Sequence, residues 1–514
     1  MHFGILDYSI LLLYLIAVAF FGLKVSGKQT TTRDYFLGGE GIPWWAVLFS
    51  VVATETSTLT FISIPAVAYG GNLTFLQITI GYLIGRVIVA LYFLPKYFEG
   101  EIYTAYEFLD KRFGTKLRIA TSSTFMITRF LADGVRLFAT AIPLAIILRL
   151  GGAFLTWTDL ELYLLAIGLI AVITLFYTFF GGIKAVVWMD VVQLGVYVFG
   201  AGIALLVLLY QLPEGWNTMV QYAAPENKTQ ILRLGFDLPF KEFMAQPYTI
   251  ITAILGGAVF SLASNGTDQL LVQRLLASGS LKSAQKALIA SGFVVIAQFA
   301  LFLVIGLMLY AFYEAQTPDA LGLATNDEIF AKFIVEQLPA GMSGLIVAAL
   351  FAAAMSSLSS SLNSLASASI FDLIKPLSSK VISSTEELKL SRMITLLWGG
   401  ILTGSAITFA VLQLNAGERP TVVELGLGIA SYTYGGLLGA FGLGLFFSKP
   451  NTKDALLGFF TGMISLLFMV NGPIQQLLPG EGLIIAWPLY TLFGSAIVIG
   501  VGYCSSLLRK DMNI

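Results

Sequence analysis

The sequence is poor in the residues that most chemistry needs. It has one cysteine, Cys504, one histidine, His2, and only 11% charged residues across 514 positions, where soluble domains carry about 25% charge. A single cysteine excludes an intramolecular disulfide, and no Cys/His/Asp cluster with transition-metal spacing is present. There is no glycine-rich phosphate loop and no nucleophile motif. The chain is therefore read as having no catalytic residues and as not being an enzyme. A formal net charge of -1 removes the basic face that nucleic acid requires.

What remains is hydrophobic. Apolar residues make up 57% of the chain and fall in runs of roughly 20, the length that crosses a bilayer as a helix. Punctuated by glycine, proline and charge, the runs lie at 5–22, 43–69, 74–95, 120–148, 161–180, 185–211, 249–272, 287–313, 343–370, 393–413, 422–446, 455–471 and 485–508. The expectation is an all-α membrane protein of about thirteen transmembrane helices, with 1–514 forming one transmembrane domain. The first run lacks the basic start and Ala-x-Ala-like site of a signal peptide, so it is expected to stay as a helix.

Basic residues alternate across the connections. Lys24, Lys28 and Arg33, then Lys96, Lys111, Arg112, Lys116 and Arg118, then Arg274, Lys282 and Lys286, and finally Arg509 and Lys510 all fall on one side. In total about twenty Lys/Arg lie there and about six opposite, which puts the N-terminus outside and the C-terminus in the cytoplasm of a plasma (inner) membrane. The segment 314–342 carries apolar residues at helical spacing over 326–338 and is expected to form a helix lying at the membrane interface.

Polar residues inside the spans carry the functional signal, because an ionisable group there costs several kcal/mol and is usually retained for function. The second span runs Ala53-Thr-Glu-Thr-Ser-Thr-Leu-Thr-Phe-Ile-Ser-Ile-Pro-Ala66. Glu55 and a run of hydroxyls ahead of Pro65 fit a discontinuous helix whose unwound carbonyls coordinate a cation beside a substrate. The competing reading is a proline-kinked helix with its hydroxyls bonded to its own carbonyls.

The span 343–370 contains Ala348 to Ser364, dense in alanine and serine. Small residues let a second helix approach closely, while Ser356, Ser357, Ser359 and Ser360 repeat at i, i+3 and i+4. Neutral oxygens suit a singly charged hard cation, and a divalent site would hold more carboxylates. Asp190 lies about a turn and a half into an apolar helix; six residues separate it from Lys184, too many for an intrahelical pair, so it is expected to accept a cation. Arg129, Asp133 and Arg136 share one face of the fourth span, and Arg86 adds another buried cation. Either these close into an ion-pair network, or a spare guanidinium holds a substrate carboxylate. A proton-driven carrier or channel would use Glu55, Asp133 and Asp190 as relays.

With these segments assembled, the chain resembles the solute:sodium symporter family, which includes sodium/glucose, sodium/galactose, sodium/proline and sodium/sialic acid carriers. The resemblance rests on Tyr35-Phe-Leu-Gly-Gly39, Tyr106-Glu-Phe-Leu-Asp-Lys-Arg-Phe-Gly114, Gly181 to Gln193, Asp268-Gln-Leu-Leu-Val-Gln-Arg-Leu-Leu-Ala277 and Ala348 to Ser364. It implies a LeuT-type 5+5 inverted repeat over 43–211 and 249–446, with one helix (5–22) before and two (455–508) after. It also implies sodium-coupled import of a small polar organic solute by alternating access.

Carried onto this sequence, the first sodium site is Ala53, Thr56, Ala353, Ser356 and Ser357. The second is Asp190, Ser356, Ser359 and Ser360, giving two sodium ions per solute. The stretch Thr60 to Ala66 looks like the sialic acid carriers, although Glu55 replaces a smaller polar residue and the arginines are displaced. The candidate solute-binding set is Glu55, Ser57, Thr60, Phe75, Thr79, Arg129, Asp133, Arg136, Ser261, Asn265 and Asp268, for a sugar, sugar acid or polyol.

Overall fold

The computed structural model describes residues 4–511 except 28, 40, 101, 151–153, 155, 324, 379–382, 416–421 and 472–483. Lys28, which enters the orientation count, and most of the connections 414–421 and 472–484 lie outside the described residues. Among those described, the chain is helical throughout. Nine helices are long and apolar enough to cross a membrane, and a tenth span is the pair Trp44–Glu55 and Thr58–Gly70, bent by 63°.

One of the nine, Asp159–Gln211, is 53 residues long. At 1.5 Å per residue it is more than twice as long as a hydrocarbon core is thick. Gly182, at φ 54° and ψ -156°, breaks it into two spans. With Val422–Phe446 and Thr452–Asn471, all thirteen expected spans are present as helices, one ahead of the first broken pair and two at the end.

Gly182 is held where only glycine fits. Its backbone lies in a region that side chains strain to enter, and a β-carbon there would lie 2.4 Å from the carbonyl oxygen of Tyr35. Gly182→Ala is expected to destabilise the protein by about 2 kcal/mol or more. A melting temperature equal to wild type in the same detergent would contradict this.

Two breaks matter for function. The first falls at Thr56 and Ser57, whose backbones are extended (φ/ψ -90°/104° and -101°/175°). It precedes Pro65, which sits buried inside the following helix, so the proline marks the region without being the break itself. The second interrupts the span at 249–272: Ile250–Thr267 ends at Asp268, whose backbone is also extended and whose side chain caps the short helix Gln269–Ala277 through the amide of Leu270 at 2.9 Å. The helix that opens each half is thus broken.

The segment 314–342 forms the expected helix, Asp327–Glu336, and its apolar face packs on the protein. Ile329, Phe330, Phe333 and Ile334 are buried, and Phe330 stacks on Phe61 of the broken span at 5.3 Å. The hydrophobic periodicity was real; its partner is the protein interior. From the long connection 212–248, Lys228 donates to the carbonyls of Tyr69 (2.8 Å) and Gly71 (3.2 Å), satisfying the end of Thr58–Gly70. Burial lowers its pKa from the usual lysine value, against the opposing pull of Glu226.

Candidate cation and solute site

The broken span lies against the serine helix, Met342–Ala368. Thr54 meets Ser360 at 3.2 Å on one side of the break, and Thr58 donates to the carbonyl of Leu350 at 3.2 Å on the other. Between them, Ser57, Ala354 and Ser357 line one small cavity. The end of a helix leaves its last carbonyls without intrahelical partners, so carbonyl oxygens over Ala53 to Thr56 are freed at the break. The hydroxyl of Thr56 points elsewhere, to the Val52 carbonyl (2.7 Å) and to Gln298 (3.2 Å), which leaves its carbonyl as its contribution to the break.

The four serines divide between two faces. Ser357 is half-buried, with its hydroxyl on the Ala353 carbonyl at 3.1 Å, and Ser361 one turn below donates to Asp133 at 2.6 Å. Ser356 instead donates to Asp190 at 2.6 Å, and Ser360 folds back on the Ser356 carbonyl at 2.6 Å. Ser359 is buried with its hydroxyl on that same carbonyl at 3.1 Å.

Asp190 already has a cation. Arg274 donates to it at 3.2 Å, to Ser50 at 2.9 Å and to the hydroxyl of Ser360, while Ser50 donates to the same carboxylate at 2.5 Å. Arg274 and Asp190 are both fully buried. In the sequence Arg274 reads as a basic residue of a cytoplasmic connection. The short helix after the Asp268 break carries it inward instead. A helical period does not reveal such a turn.

Above this cluster a cavity of 120 Å³ opens beside the break. Of the expected solute-binding set, Glu55, Ser57, Thr60, Phe75, Arg129, Arg136 and Ser261 line it. Asn265 reaches Glu55 at 3.2 Å from just behind the wall. Asp133 lines the smaller neighbouring cavity with Ser57 and Arg136. Thr79 is fully buried with its hydroxyl on the Leu76 carbonyl at 2.8 Å, away from the cavity. Asp268 stands behind Arg129, 3.2 Å from it, and accepts from Tyr434 at 2.7 Å. Sequence reasoning omitted Tyr82, Phe260, Phe299 and Tyr434 from this lining, because aromatic residues are too common in apolar spans to stand out.

The cavity's charges cancel. Arg86 pairs with Glu55, Arg129 lies between Asp268 (3.2 Å) and Asp133 (3.5 Å), and Arg136 sits 3.8 Å from Asp133. Compared only with the aspartate beside them in sequence, the arginines look to be in excess. With Glu55 and Asp268 folded in from distant spans, three guanidiniums meet three carboxylates.

Comparison with known proteins fits this geometry. The model of the sodium:solute symporter family matches residues 35–462. A sodium/sialic acid symporter of Aliivibrio fischeri is 30% identical over 99% of this chain and 94% of its own length. A sodium/glucose cotransporter of Vibrio parahaemolyticus is 29% identical over 98% and 91%. Among solved structures, a substrate-bound, outward-open sodium-coupled sialic acid symporter superposes with a TM-score of 0.81 at 27% identity, covering 98% of both chains. A family match over most of the chain, a full-length relative and a superposable fold converge on one conclusion: the chain belongs to the sodium:solute symporter family.

Proposed function

We propose that sodium binds at the break in the second span and that the cavity beside it takes the solute, so that the two are carried together. The observation that supports this most is the placement of the break, Thr56–Ser57, between the serine helix and the cavity wall. The first sodium site comprises the carbonyls of Ala53, Thr56 and Ala353 with the hydroxyls of Ser356 and Ser357. These oxygens suit the ion. Ser356 gives its proton to Asp190 and Ser357 gives its own to Ala353, so each oxygen keeps lone pairs for a cation. Neutral oxygens match a hard monovalent ion.

The second site is Asp190 with Ser356, Ser359 and Ser360, making two ions per solute. Arg274 holds that position in the present arrangement, so the second ion enters only where the guanidinium has moved off. The five spans over 43–211 and the five over 249–446 act as the two halves of the carrier, with the N-terminus outside and the C-terminus cytoplasmic. Sodium at the break fastens the broken helix to the serine helix, completes the outward-facing cavity and raises solute affinity before the halves rock inward. Across 100 mV each entering charge supplies about 2.3 kcal/mol, roughly fifty-fold accumulation.

Reconstituted vesicles test the coupling. An inward sodium gradient is expected to drive accumulation of a radiolabelled sugar from a small panel, and an inward proton gradient without sodium is expected to drive none. Accumulation under protons alone would favour Glu55, Asp133 and Asp190 as proton relays and overturn the proposal.

A further inference from the structure

Taking the central cavity as the solute site, we infer that it selects a polyhydroxylated solute without net charge, and that Glu55 is the residue that turns carboxylate-bearing solutes away. A solute carboxylate binds tightly where a guanidinium offers its fork unopposed. Among the described residues, each guanidinium at this cavity has a carboxylate within 4 Å. Arg86 is committed to Glu55 and, through Nε, to Ser291 at 3.2 Å. Arg129 is held by Asp268 at 3.2 Å and by the Tyr434 hydroxyl at 3.1 Å. Arg136 shares Asp133 with Arg129. An anion entering at Arg86 or Arg129 has to take the guanidinium from Glu55 or Asp268 and leave that carboxylate short of its partner, and at Arg136 it meets the charge of Asp133, 3.8 Å away.

Hydroxyl groups meet no such obstacle. An ionised carboxylate has about four lone-pair positions, and Glu55 uses one oxygen for Arg86 and the other for Asn265. Its side chain keeps 20% of its surface open, enough to accept from a solute hydroxyl while the ion pair stays intact. The two side chains that hold Glu55 each keep an unsatisfied buried atom, a donor at Arg86 Nη1 and an acceptor at Asn265 Oδ1. Buried polar atoms without partners are rare, and of these two side chains Arg86 lines the cavity, where a solute hydroxyl can accept from it. Phe75, Phe260 and Phe299 supply the apolar part of the wall, suited to the C–H faces of a ring. The known relatives do not decide the question, since one named for an acidic sugar and one named for a neutral sugar are almost equally similar to this chain.

The test uses the purified full-length protein and matched solutes that differ in charge. Thermal-shift titrations compare D-glucose with D-glucuronate, D-galactose with D-galacturonate, and N-acetylmannosamine with N-acetylneuraminate, each in sodium chloride and in potassium chloride. In at least one pair the neutral member is expected to stabilise the protein with an apparent affinity at least about tenfold tighter than its acidic partner. Glu55→Gln frees the Arg86 guanidinium and is expected to narrow or reverse that preference by about tenfold.

Acidic members binding as tightly as neutral ones to the wild type would overturn the inference, as would the absence of any sugar response in sodium. An unchanged preference in Glu55→Gln would remove Glu55 from the role. If that variant does not accumulate, the wild-type selectivity decides alone. A neutral preference that is equal in potassium would support the selectivity and count against the sodium site instead, which keeps the two claims separable.

Discussion

Ser357→Ala is expected to weaken sodium binding at least about tenfold, the loss of roughly 1.4 kcal/mol or more, while leaving the fold intact. The two halves of this expectation have different physical origins. In the proposed site Ser357 supplies one of a handful of oxygens to the ion, and a hydrogen-bond-strength interaction with a charged group is worth about 1.5–3 kcal/mol. In the fold it supplies little. Its hydroxyl is half-buried and bonds only to the carbonyl one turn earlier in its own helix, a contact that contributes little to helix stability, and alanine is the better helix former. Melting in sodium-free buffer should therefore be close to wild type, with the sodium dependence shifted to higher concentration. An unchanged sodium dependence would remove Ser357 from the site.

Arg274→Ala is expected to have the largest effect on stability, and that effect should depend on sodium. Removing one partner of a fully buried ion pair leaves an uncompensated charge and costs about 3–5 kcal/mol. Here the stranded group is Asp190, which keeps Ser50 and Ser356 as donors but loses its only guanidinium. If Asp190 belongs to a second sodium site, the ion can take the vacated place. At a hundred times its dissociation constant, it would return about 2.7 kcal/mol. Thermal melts of Arg274→Ala should then rise steeply with sodium and much less with potassium. In Arg274→Ala/Asp190→Asn, which removes both charges, the rise should be lost. Melts of Arg274→Ala that are low and insensitive to sodium would make the pair structural and leave the carrier with one ion per solute.

These two residues also show how far the sequence could be read. The helices and the break were legible because they depend on local signals: apolar runs of bilayer length, and hydroxyls with Glu55 where a lipid-facing helix would have neither. Gly182 could be foreseen as punctuation between two spans, since no apolar run of that length crosses one bilayer as a single helix.

The ion pairs within the fourth span could be foreseen as one of two readings, but those between spans could not, because each joins residues far apart in sequence. Glu55 meets Arg86, Asp268 meets Arg129, and Asp190 meets Arg274 only when separate spans pack together. Counting charges along one helix therefore left both an ion-pair network and a spare guanidinium open, and the partners Glu55 and Asp268 come from other spans. For the same reason Arg274 looked like a cytoplasmic loop charge, and the sequence did not say what the apolar face of Asp327–Glu336 packs against. Periodicity identifies a face, and only packing identifies what covers it.

The central claim is that the break at Thr56–Ser57 and the serine helix together hold sodium. Binding of radiolabelled sodium to purified protein, measured beside Ser357→Ala, tests it without knowledge of the solute. The account predicts saturable binding to wild type that excess potassium does not displace and that Ser357→Ala weakens at least about tenfold. Binding displaced equally by potassium, or identical in the variant, would contradict it.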